Sequence, residues 1–168
     1  AAPAISADVN GLIEGKKIEV IYNGYFEEKF ENSKSIRAKR TFTIAHAGTV
    51  YPYQKVETLL DGLRTFISQN PNKEINVMFF GLNFQPDQLS RIKEISSDLP
   101  VKFTDRMPHD EMLRELSSCH ALLLLATTER HQIYAKVFDY LALQKPIIVV
   151  ENDHGPLKEI LSSSGHHS

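Results

Sequence analysis

ALLLLATTERHQIYAKVFDYLALQKPIIVV, residues 121–150, holds two apolar runs, Ala121–Leu125 and Ile147–Val150, on either side of an amphipathic stretch. A strand with one face in water alternates apolar and polar residues, and these two do not, so both faces of each are covered. A helical pattern between two such strands calls for parallel pairing through a right-handed crossover. This unit sets the expectation for the whole chain: an α/β domain built on a parallel sheet.

Working outward, the same alternation recurs. Strands are expected at Phe42–Ala47, ending on Gly48, at Ile75–Phe80, ending on Gly81, and at Val101–Phe103. Val56, Leu59, Leu60, Leu63, Phe66 and Ile67 share one helical face, with Glu57, Asp61 and Arg64 on the other. Further helices are expected over 86–97, with Pro86 suited to a first turn, and over 110–118, 134–143 and 156–161. Five β-α units in succession read as one Rossmann-like, doubly wound, three-layer αβα domain. Before them, Ile18–Tyr22 is a short strand candidate followed by Asn23-Gly24, and residues 27–40 form a polar stretch expected as a surface loop or weak helix.

The chain has 168 residues, enough for one sizeable core, with 42% hydrophobic and 24% charged residues. A formal charge of -2 gives no electrostatic footprint for nucleic acid. Cys119 is the single cysteine, which excludes an internal disulfide and fits a reducing compartment. The longest apolar run, Ala121–Ala126, is far short of the roughly 20 residues that span a bilayer. The opening residues lack the basic and apolar regions of a signal peptide.

In an open parallel sheet, ligands bind beyond the carboxyl ends of the strands. The candidate site therefore lies in the loops beginning at Gly48-Thr49, Gly81, Thr104, Thr127 and Glu151. No GxGxxG or GxxxxGK[ST] pattern is present, so dinucleotide and P-loop readings lose their main support. Lys136 falls near the start of the fourth expected helix, where free N–H groups already favour an anion, and its charge would face a phosphate. Asp139 shares its face, at a distance that suits ribose hydroxyls. The pair fits a second reading equally, an i,i+3 ion pair on a solvated face. Lys55 could reach a pyrophosphate or be an ordinary surface lysine, and Arg106 could stack on a base or bind phosphate. His46, His109, His131 and His154 have no nucleophile beside them, and no spacing of ligands makes a metal site.

The motifs together resemble the C-terminal, donor-binding domain of group 1 glycosyltransferases, half of the two-domain GT-B fold. VIYNGY (Val20–Tyr25) resembles the family's passage into that domain. HAGTVYPYQKVETLLDGL resembles its first strand, glycine turn and helix, and VMFFG its second strand. VKFTDRMPHDEMLRELSSCHALLLL resembles the stretch from the base-contacting loop to the fourth strand, and AKVFDYLALQKPIIVVENDHGPLKEIL the family's best-known segment. The departures are Thr49 in place of an arginine, His131 and Asp139 in place of two glutamates, Gln144 in place of glycine and Ala135 in place of proline.

The resemblance implies metal-independent transfer of a sugar from a nucleoside diphosphate sugar, with no cofactor. Lys55 and Lys136 would stabilise the leaving group. Gly48, Thr49, Gly81, Arg106, Met107, Thr128, Glu129, His131, Val137 and Asp139 would bind the donor. Residues 1–24 would be an interdomain segment and 25–168 the donor domain. An N-terminal acceptor domain, the expected partner, would lie outside this chain, leaving the fragment inactive alone. A cytoplasmic enzyme, peripheral to the membrane at full length and not inserted in it, is expected. The competing readings are a non-catalytic nucleotide-sugar module, a sugar-nucleotide epimerase-type domain and a flavodoxin-like interaction domain.

Overall fold

The short apolar strands pair in the order β3-β2-β1-β4-β5, where β1 is Phe42–Ala47, β2 Ile75–Phe80, β3 Val101–Thr104, β4 Ala121–Leu125 and β5 Ile147–Val150. All four pairings are parallel, as helical crossovers require. The computed structural model describes residues 21–31, 36–127, 133–151 and 155–165. The helices are α1 Val56–Gln69, α2 Pro86–Ile95, α3 His109–Ser117, α4 Lys136–Ala142 and α5 Pro156–Ser163. The expectation of a doubly wound Rossmann-like domain holds, with four strands at their expected bounds and the remaining ends moved by no more than two residues. Of the strand expected at Ile18–Tyr22, residues 18–20 lie outside the described residues, and Ile21 and Tyr22 form no strand.

Helices pack on both faces of the sheet, but β5 is covered less than its composition leads one to expect, with Ile148 left 37% exposed. On one face, Ile44, Val77, Phe79, Leu123 and Leu125 pack under Val56 and Leu63 of α1 and Ile92 of α2. On the other, Ala45, Leu122 and Leu124 meet Leu113 and Leu116 of α3, Phe138 and Tyr140 of α4, and Leu157 and Leu161 of α5. Leu122 to Leu125 are each no more than 1% exposed, and burying such a side chain stabilises by about 1.5–3 kcal/mol. The polar stretch at 27–40 contains one helical turn, Glu28–Glu31, whose Phe30 enters the second core at 3% exposure. An unexpected 3-10 turn, Leu82–Phe84, follows Gly81, where a left-handed φ of 76° suits glycine.

Candidate functional site

The strand order reverses at β1, whose neighbours are β2 and β4, and this is where an open sheet parts into a ligand crevice. The ladders show the parting directly. β1 pairs with β2 along six residues but with β4 only at Ile44↔Ala121 and Ala45↔Leu122. Continuing that register would take the Ala47 N–H to the Leu123 carbonyl. Side chains intervene instead: Ala47 N–H donates to the Tyr140 hydroxyl at 3.0 Å, and His46 Nδ1 lies 3.0 Å from Leu123 O. One register further, the Gln54 side-chain amide donates to Leu125 O while its Oε1 accepts from Tyr51 N–H. These bonds account for three of the polar or phenolic groups buried in the crevice, as burial demands.

Lys136, at the head of α4, reaches into the same parting. Its Nζ lies 3.2 Å from His46 Nε2, and a Cβ on Gly48 would sit 3.7 Å from it. Gly48 has φ 92°, so a side chain there would be strained, and its Cβ would lie in van der Waals contact with the ammonium. Burial pushes the Lys136 pKa down to about 8. His46 is wholly buried and held down at about 3, by burial first and by Lys136 second, with the carbonyls of Leu123 and Thr49 partly offsetting both.

Two clefts open here and share Gly48 and Met112. The larger, about 690 Å³, is lined by Asn23–Phe26, Gly48, Lys136, Asp139 and Tyr140 among others. The smaller, about 380 Å³, is lined by Gly48, Thr49, Gly81, Phe84, Arg106, Met107 and His109. Its floor is braced by Asn83, which accepts from the Arg106 N–H and donates to Asp105. The Arg106 guanidinium lies 5.5 Å over the Phe84 ring, which is 63% exposed. A cation above an exposed aromatic face makes a flat platform of the kind that stacks on a conjugated ring.

Most of the expected site residues converge: Gly48, Thr49, Gly81, Arg106, Met107, Lys136 and Asp139 line one cleft or the other. The ion pair between Lys136 and Asp139 does not form, since Asp139 Oδ2 meets His109 Nε2 at 3.1 Å. Val137 is drawn into the core at 0% exposure, and its N–H donates to Tyr134 O, so it offers the clefts neither group. Lys55 Nζ stands 2.6 Å from Glu151 Oε1 and lines neither cleft. The helix-terminus argument for Lys136 is corrected: α4 has only seven residues, and the N–H groups of Val137 and Phe138 already bond Tyr134 and Ala135. The lysine's own charge is what the crevice receives. Thr128, Glu129 and His131 lie outside the described residues; just beyond them, Tyr134 donates to Thr127 Oγ1 at 3.2 Å.

Sequence reasoning missed Phe84, Gln54 and Tyr140, and weighed His46 only for acid–base chemistry. Phe84 follows a glycine at a strand end, which was the available signal. Among the described residues, no group of three or more His, Cys, Asp or Glu could hold a metal ion, and no helix is long and apolar enough to cross a membrane.

No protein-family model matches the sequence, and no curated protein sequence matches it. Solved structures do. A glycosyltransferase from Rickettsia africae superposes with TM-score 0.69 at 11% identity, over 94% of this chain and 44% of that one. HepE from Anabaena, solved with UDP and glucose, gives TM-score 0.62 at 16% identity, over 84% and 40%. The lipopolysaccharide outer core galactosyltransferase WaaB in its apo form gives 0.61 at 14%, over 98% and 50%. The chain therefore spans half or less of each of these proteins. Its fold is that of one Rossmann-like half of the GT-B glycosyltransferases.

Proposed function

We propose that this chain is the donor-binding domain of a glycosyltransferase that takes its sugar from a nucleoside diphosphate sugar. One observation carries the reading: the Lys136 ammonium is brought to the switch point beside Gly48 with a neutral histidine, and no carboxylate among the described residues, as its partner. An ammonium in a half-buried crevice, with no carboxylate partner among the described residues, suits an anionic ligand. The likeness in fold to proteins solved with UDP supports the same reading.

In this reading the diphosphate lies across Gly48 and Thr49, where glycine lets the backbone approach closely. Lys136 neutralises the charge that builds on the departing diphosphate, a term aimed at the transition state. Lys55 joins it by releasing Glu151. The smaller cleft takes the base, between Arg106 with Phe84 on one side and Met107 on the other, and Asp139 holds the ribose. Thr128, Glu129 and His131, which lie between β4 and α4 in the sequence, serve the sugar, and the Val137 position contributes only by fixing α4 in the core. The lysine charge does the work for which other transferases use a metal ion. The acceptor comes from a second domain, so the chain alone binds nucleotide and transfers nothing.

Calorimetry with UDP, GDP and ADP tests the proposal. Binding of at least one, reduced on the order of tenfold or more by Lys136→Met, is expected, since a hydrogen bond to a charged group is worth about 1.5–3 kcal/mol. No binding of any of the three by the folded chain would remove the donor-site assignment.

A further inference from the structure

The two nitrogens of His46 do different things, Nδ1 facing Leu123 O and Nε2 facing Lys136 Nζ. The Leu123 carbonyl can only accept, so Nδ1 must carry the proton. The Lys136 ammonium can only donate, so Nε2 must accept from it. With Lys136 charged, both contacts are satisfied by a neutral ring with its proton on Nδ1. Filling the gap left by the broken ladder needs the Nδ1 bond alone; the Nε2 bond is a separate property.

The ring's place explains its reach. Ile44 lies on the α1 side of the sheet and Ala45 and Ala47 on the α4 side, and His46 alternates with them, its ring 5.7 Å from that of Phe79 on the α1 side. Lys136 comes from α4 on the opposite face. The two meet only because β1 and β4 have parted after Ala45 and Leu122. Four residues on, Tyr140 docks the same helix on Ala47, so β1 grips α4 one turn apart on one helical face.

We propose that His46 is the positioning residue of the anion site: it aims the Lys136 ammonium over Gly48 through a neutral acceptor, which fixes the direction of the charge without cancelling it. A carboxylate in its place would aim the lysine equally well and neutralise it. The contrast with Lys55, closed against Glu151, lies within the same fold. Among the described residues, the other ionisable groups near Lys136 leave this arrangement intact. Asp139 on its own helix turns to His109 of α3, and Tyr140 uses its hydroxyl on Ala47. This inference rests on the reading that the ligand is an anionic diphosphate.

Two variants separate the jobs of the ring. Asparagine can keep a donor where Nδ1 stands, for Leu123 O, but has nothing at the Nε2 position. Glutamine places an acceptor near Nε2. The charge state of Lys136 is followed by NMR titration of its side chain in the ligand-free protein, and affinity for UDP and for uridine by calorimetry. In His46→Asn, the Lys136 midpoint is expected to fall below the wild-type value and UDP to bind roughly tenfold more weakly, the loss of one charge-assisted hydrogen bond, with uridine affinity unchanged. His46→Gln is expected to restore both the midpoint and UDP affinity. If His46→Asn leaves the Lys136 titration as in the wild type, and any loss is confined to thermal stability, His46 is a filler of the parted ladder and the inference is overturned. Should the wild-type chain bind no UDP, the donor-site reading falls, and the titration alone still decides whether His46 governs Lys136.

Discussion

β1 has two neighbours and treats them differently. Against β2 it forms an unbroken six-residue ladder, and Phe79 and Val77 beside it are wholly buried. Against β4 the ladder stops after two residues, and His46, Tyr140 and Gln54 complete the bonding with side chains. The first seam is held by backbone geometry and apolar burial, which tolerate no opening. The second is held by replaceable polar side chains, and that is the place where a ligand can enter. The difference assigns stability to one seam and chemistry to the other.

The sharpest way to break that contrast is to weaken the closed seam. Phe79→Ala is expected to cost about 3–5 kcal/mol in urea unfolding, the usual result of emptying a packed aromatic site. Gln54→Ala, in the open seam, strands the Leu125 carbonyl and the Tyr51 N–H and should cost on the order of 2–3 kcal/mol, with the Gly48–Lys55 loop losing protection in hydrogen exchange. A cost equal to that of Phe79→Ala would mean that the crevice is as structural as the seam.

The charge of the crevice predicts opposite pH trends for stability and binding. Lys136 has a folded-state pKa of about 8, below its ordinary value near 10.5, so between these values the unfolded chain holds more protons. Stability is therefore expected to gain up to about 1.4 kcal/mol per pH unit from this group as pH rises through that window. Diphosphate affinity should fall over the same window, as the ammonium is lost. His46, depressed to about 3 from an ordinary 6.5, acts with the same sign at lower pH: its contribution to stability is complete above 6.5 and erodes as pH drops towards 3. Denaturant melts and calorimetry across pH 4–10 (roughly the range set by those two groups) measure both trends. The smallest effect belongs to Glu151→Ala. Lys55 is 64% exposed in that pair, so stability should change by less than about 1 kcal/mol. An increase in UDP affinity in this variant would show that Lys55, once free, serves the diphosphate.

The fold was legible because its evidence is periodic. Strands such as Leu122–Leu125 carry their two-sided burial in composition, and Gly48 and Gly81 mark strand ends, where the structure gives both a positive φ. The candidate site was legible where it follows from strand order, which delivers Lys136, Asp139, Arg106 and Met107 to two adjoining clefts. Pairings across the sheet were not legible. Nothing local in the sequence says that Asp139 meets His109, that Lys136 meets His46, or that Lys55 meets Glu151. Such contacts depend on which strands are neighbours and where a ladder stops, and His46 sits 90 residues from its lysine. Phe30 was lost for a related reason, since a lone aromatic in a polar stretch has no period to betray it.

The parted ladder also bears on how much sequence an opening needs. One made by the order of strands does not depend on any particular side chain. It needs only some donor for the Leu123 and Leu125 carbonyls, a task that falls here to His46 and Gln54. Likeness of fold to the Rickettsia and Anabaena proteins at 11–16% identity fits a shape set by strand order rather than by particular letters.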